Sequence, residues 1–99
     1  MTVRKALLAR LEAKRGKEAE VQNLLTGAVA LANQEDGTTV WFALKLGPST
    51  FGVFDAFADE DGRQAHLNGP IAQALVANAE LWSKPPQIDP VDVLGAKLR

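Results

Sequence analysis

Thr38-Thr39-Val40-Trp41-Phe42-Ala43-Leu44-Lys45-Leu46, then Gly47-Pro48-Ser49, then Thr50-Phe51-Gly52-Val53-Phe54-Asp55-Ala56-Phe57-Ala58, is the stretch that decides the fold. Both arms are rich in β-branched and aromatic residues, which suit a pleated surface. The three residues between them are turn chemistry. Two such runs around a short turn read as a β-hairpin. A three-residue turn places Trp41 opposite Asp55, whereas a four-residue turn moves Trp41 to the other face.

The chain on either side completes the pattern. Upstream, Glu35-Asp36-Gly37 signals a turn. Before it, Val21, Leu24, Leu25, Ala28, Leu31 and Ala32 recur at three- and four-residue steps, one stripe of an amphipathic helix over Lys17 to Asn33. Arg15-Gly16 breaks the chain ahead of that helix. Lys5 to Ala13 alternates, with Leu7, Ala9, Leu11 and Ala13 on one face, which is the period of a strand. Downstream, Asp59 is placed to cap a helix whose first turn is acidic. Asn68-Gly69-Pro70 interrupts that helix and restarts it, proline being favoured at a first helical position. The restarted helix is expected to bury Ile71, Ala74, Leu75, Ala79 and Trp82, and Pro85-Pro86 ends it. A last strand is expected over Val91 to Lys97. The order strand, helix, strand, strand, helix, strand predicts an α+β, ferredoxin-like βαββαβ domain over residues 1–99. Its four-stranded antiparallel sheet should carry both helices on one face.

Composition narrows the function classes. Eleven basic and twelve acidic side chains give a net charge of -1. With no basic stripe, nucleic acid is not an expected partner. There is no cysteine, which removes disulfides, thiolate metal sites and a cysteine nucleophile. The short apolar stretch after Met1 is broken by Arg10 and Glu12, so neither a signal peptide nor a membrane span is expected. We read a cytoplasmic protein. One histidine and scattered carboxylates do not suggest a metal site, and no glycine-rich phosphate loop is present.

The hairpin strands are apolar on both faces. An antiparallel sheet with helices on one side usually shows water the other, and its strands then alternate. The second face therefore needs a cover that one copy lacks. The expectation is a homodimer through sheet-to-sheet packing, a two-fold, self-complementary contact.

His66 is the chain's lone histidine, and there is no tyrosine. It is the natural group for proton chemistry near neutral pH, as a base or as a donor to a developing oxyanion, or else it caps a helix end. Asp55 interrupts an apolar strand, and a buried carboxylate needs a partner. It is either an acid/base group for a ligand or the partner of Arg10, Lys45 or Arg63. The Trp41 ring either walls a pocket and offers its N–H to a substrate oxygen, or packs in the core or dimer contact. Asn68 either donates to a ligand or serves the turn it lies in.

The run Leu11 to Glu18 resembles the opening of the antibiotic biosynthesis monooxygenase family, as does Glu35-Asp36-Gly37-Thr38 leading into Val40-Trp41-Phe42. Phe54-Asp55-Ala56-Phe57-Ala58-Asp59-Glu60-Asp61 with Ala65-His66-Leu67 is similar to its central signature. The tail from Pro85-Pro86-Gln87-Ile88 to Leu94 and Lys97 also matches. The resemblance implies a dimeric α/β barrel. It further implies, in some members, oxidation of a small aromatic quinol or polycyclic phenol by dioxygen with no cofactor. On that match His66 and Asp55 are carried over as catalytic, and Trp41, Phe57 and Asn68 as binding a small apolar or aromatic ligand. Many members have glutamate near Asp55 and an aromatic with a polar tip two residues later; Phe57 has no hydroxyl, so a mechanism needing a phenol donor lacks one here. Other small dimers of this fold have different activities or none known. The alternative is thus a non-catalytic, stress-related or ligand-binding dimer.

Overall fold

The computed structural model describes residues 2–98. The elements are β1 (Lys5–Glu12), α1 (Glu18–Ala32), β2 (Thr38–Lys45), β3 (Thr50–Phe57), α2 (Glu60–Leu67), α3 (Pro70–Ala77), a 3-10 turn (Ala79–Leu81) and β4 (Gln87–Asp92). They form one four-stranded antiparallel sheet in the order β2-β3-β1-β4. This is the ferredoxin-like βαββαβ arrangement, with its second helix split into α2 and α3 at Asn68-Gly69-Pro70 as the sequence predicts.

Three local causes set the frame. Gly16 takes a φ of 86°, the left-handed region where glycine carries no steric cost, and this turns the chain from β1 into α1. Asp59 caps α2: its Oδ1 accepts from the Gly62 amide at 2.9 Å. The hairpin turn spans Gly47 to Ser49, closed by the Leu46 amide donating to the Thr50 carbonyl at 2.8 Å. That three-residue turn fixes the register, and Trp41 stands directly opposite Asp55.

Alternation then sorts the side chains. Ala9, Leu11, Phe51 and Val53 point to the helices and pack with Val21, Leu25, Leu75, Leu81 and Trp82. Each fully buried Leu, Val or Phe side chain contributes about 1.5–3 kcal/mol. On the opposite face Val3, Ala6 and Ala56 make a smaller cluster with Val40, Phe54, Val91 and Val93. Beyond it the face is open in the single chain: Phe42 is 51% exposed and Leu8 44%.

Two expectations are corrected at the C-terminal end. The last strand runs over Gln87–Asp92, not Val91 to Lys97. Pro90 lies inside it, tolerable because β4 is an edge strand paired only with β1. Trp82 is buried but lies past α3, in an isolated bridge to Ala13, and its Nε1 donates to the Leu75 carbonyl at 2.9 Å. Ala79 is exposed on the 3-10 turn and Ala74 is half-buried, so the buried stripe of α3 is Ile71 and Leu75.

Glycines set how closely α2 meets the sheet. A Cβ on Gly62 would lie 2.8 Å from the Gly37 carbonyl oxygen, and one on Gly37 would lie 3.1 Å from the Gly62 Cα. The start of α2 therefore rests on the turn that opens β2. This contact brings the turn carrying Glu35 beside the helix carrying His66.

Candidate active site

His66 occupies the last turn of α2, where a cation is favoured by the helix dipole. Its imidazole is gripped from both sides. Nε2 is 2.9 Å from Asp55 Oδ2, and Nδ1 is 2.5 Å from Glu35 Oε1. Thr38 Oγ1 also donates to Glu35 Oε1, at 2.8 Å. The site is dry: Asp55 is 2% exposed and His66 6%. The buried ring of Phe57 backs the imidazole at a centroid distance of 5.4 Å.

Electrostatics follow from this geometry. Burial, the largest single influence, pushes the imidazole pKa down. Hydrogen bonds to Asp55 and Glu35, with the charge of both, overcome it and hold the pKa up at about 8. This favours the imidazolium at neutral pH, the form that donates from both nitrogens. In that form neither nitrogen has a lone pair to offer, and each is held by a carboxylate, Asp55 on one side and Glu35 on the other. Among the described residues no group of three or more His, Asp or Glu is arranged to hold a metal ion.

Three buried side-chain atoms among the described residues have no partner: Asp55 Oδ1, Glu35 Oε2 and Trp41 Nε1. Buried polar atoms without a partner are uncommon, and each calls for a specific explanation, such as strain, a bound water or a catalytic role. Asp55 and His66 line a small cavity of about 30 Å³, enclosed by Leu7, Ala9, Val53, Ile71, Leu75 and Ile88 among others. Outside it a groove of about 640 Å³ runs between α3 and the chain leading into β4, past Val76, Trp82, Ser83, Lys84, Pro85 and Pro86. The cavity and the groove share Leu67, Ala72, Leu75 and Ile88 as walls. Asp55 thus lines an apolar cavity that shares walls with a groove of ligand-binding size.

The sequence-based candidates divide cleanly. His66, Asp55 and Phe57 come together. Asp55 pairs with His66, not with Arg10, Lys45 or Arg63. Arg63 instead ties α2 to the sheet edge: it pairs with Glu60 and donates to the carbonyls of Ala6 and Val91, at 3.2 Å each. Trp41 packs under α1, against the helix-side core and against Ala28, Ala32 and Ile71, on the sheet face that Asp55 shares. Asn68 is exposed, and its Nδ2 donates to the Gln64 carbonyl at 3.0 Å, so it serves the helix break and lies outside the cavity. Glu35 was missed, because its Glu-Asp-Gly context already explains it as a turn. Nothing in the sequence announces its contact with His66.

Among solved structures, the chain is similar to the NE2512 protein of unknown function from Nitrosomonas europaea. The two are 64% identical, the match covers 99% of this chain and 96% of that one, and the TM-score is 0.97. It is also similar to a second Nitrosomonas europaea protein described as a "putative antibiotic biosynthesis monooxygenase", at 14% identity over 92% of this chain and 99% of that one, TM-score 0.82. A Deinococcus radiodurans protein with the same description matches at 21% identity over 96% and 97% of the two chains, TM-score 0.80. The last two are likenesses of fold. No family model and no curated protein matches the chain.

Proposed function

This chain belongs to the same family as the Nitrosomonas europaea NE2512 protein, and we propose that it is a cofactor-independent monooxygenase acting on a small aromatic quinol or polycyclic phenol. One observation carries the reading: Asp55, whose Oδ1 is buried and unpartnered, lines an apolar cavity that shares walls with the larger groove. The shared fold with proteins named for antibiotic biosynthesis monooxygenases supports the reaction class.

In this reading the aromatic body lies along the groove and its hydroxyl reaches inward. Asp55 accepts the hydroxyl proton. His66, held as a cation by Glu35, keeps the carboxylate oriented. Trp41, opposite Asp55 in the sheet, lies outside the cavity lining and supports the core beneath it. A phenolate passes an electron to dioxygen where the neutral phenol does so poorly. At a ring methylene, one oxygen atom of dioxygen becomes the new carbonyl and the other leaves as water with both methylene hydrogens.

A homodimer belongs to the same proposal. The sheet face away from the helices presents Leu8, Phe42 and Leu44 to solvent in a single chain. An apolar patch of that kind is rare on soluble monomers, and packing two such faces together would cover it.

Oxygen uptake with a panel of hydroquinones and polycyclic phenols tests the reaction. The native protein should consume oxygen with at least one of them. Asp55→Asn should lower the rate about a hundredfold or more, the usual scale of acid–base catalysis, and His66→Ala, which frees the carboxylate it orients, about ten- to a hundredfold. Equal rates in the variants would refute these roles. Binding without uptake would favour the ligand-binding alternative.

A further inference from the structure

We infer that this site takes its ligand in as an uncharged hydroxyl donor and turns anionic aromatics away. The inference deepens the proposed function and rests on its choice of the Asp55 cavity as the binding site.

Hydrogen-bond accounting carries it. Among the described residues only two polar side chains, Asp55 and His66, line the inner cavity. Both imidazole nitrogens are already committed, to Asp55 Oδ2 and to Glu35 Oε1. Of the polar side-chain atoms on these two residues, the one without a partner is Asp55 Oδ1, which in the carboxylate only accepts. A ligand hydroxyl satisfies it. A ligand carboxylate arriving at the same place meets another carboxylate, with apolar walls on every other side.

Charge accounting agrees. Two carboxylates flank one imidazolium, so one negative charge is already unbalanced in a dry site. A second anion there would be desolvated with no partner. The cations nearby do not change this. Arg63 sits one turn before His66 but is spent on Glu60 and on the carbonyls of Ala6 and Val91. Lys84 is exposed on the outer groove and does not line the inner cavity. It draws anions to the mouth and cannot seat them at the floor. By contrast, a neutral phenol that gives its proton to Asp55 leaves the net charge of the site unchanged, because the proton stays inside.

The test is calorimetric binding of 2-naphthol and 2-naphthoate at pH 7 without oxygen, so that no oxidation is required. The native protein should bind 2-naphthol about tenfold or more tightly than 2-naphthoate, the scale of a hydrogen bond to a charged group. Asp55→Asn, whose amide can donate to a carboxylate, should narrow that gap by about the same factor. Lys84→Ala, far from the folding core, should weaken 2-naphthoate alone and gives a second reading if Asp55→Asn does not fold. Equal or tighter binding of 2-naphthoate by the native protein overturns the inference, as does no binding of 2-naphthol. Preference for 2-naphthol with no oxygen uptake from any phenol leaves the inference standing and removes the reaction. Uptake without the preference does the reverse.

Discussion

His66 Nε2 lies 2.9 Å from Asp55 Oδ2, joining the end of α2 to the middle of β3. A single residue on each element fixes the bond, and the hairpin register decides which β3 residue faces α2. Because Glu35 takes the other imidazole nitrogen, the ring is fixed at both ends and Asp55 keeps one oxygen free.

Stability should fall as pH rises through the titration of this ring. The folded pKa of His66, about 8, lies above the ordinary value of 6.5. A raised pKa means the folded state holds the proton more tightly. The stabilisation is thus fully present below about 6.5 and is lost as pH passes about 8. Its size is about 2 kcal/mol, at 1.36 kcal/mol for each pKa unit. Urea unfolding at pH 6 and pH 9 checks this: the native protein should lose about that much more than His66→Asn. Parallel losses in the two proteins would contradict it.

Two glycines should respond oppositely to alanine. Gly62→Ala drives a methyl group to 2.8 Å from the Gly37 carbonyl oxygen and should destabilise by about 1–3 kcal/mol. Gly27 is exposed in the middle of α1 with open space around it, so Gly27→Ala should stabilise by about 0.5–1 kcal/mol. Thermal unfolding of both variants measures the signs. A neutral Gly62→Ala would mean that the contact between α2 and the Gly37 turn yields freely.

The open sheet face should be where copies meet. Phe42→Glu puts a charge at its most exposed aromatic, and sedimentation at micromolar concentration should show monomer for the variant and dimer for the native protein. A native monomer would contradict the homodimer.

Much of this was legible in the sequence for physical reasons. β1 and α1 announce themselves by period, and the hairpin by β-branched and aromatic residues around Gly47-Pro48-Ser49. Asp55 stood out because a carboxylate inside an apolar run needs a partner. Its partner was less legible: Arg10, Lys45 and Arg63 are all stronger cations than His66, but only the fold says which of them faces inward. β4 was misplaced because Pro90 argues against a strand unless the strand lies at an edge. The tail after it looked more strand-like, yet Leu94 is 96% exposed. Glu35 stayed hidden since its contact with His66 spans 31 residues and depends on the Gly37–Gly62 approach. A bulge between Thr38 and Val40, which no local pattern announces, adjoins the same turn.

The most direct test of the central claim is an NMR titration of the His66 ring nitrogens, made simple because the chain holds no other histidine. The native ring should be protonated on both nitrogens at pH 7 and titrate near 8. Glu35→Gln and Asp55→Asn should each bring the titration down, leaving the ring largely neutral at pH 7. A native ring that is neutral at pH 7, or one that titrates unchanged in both variants, would contradict the account.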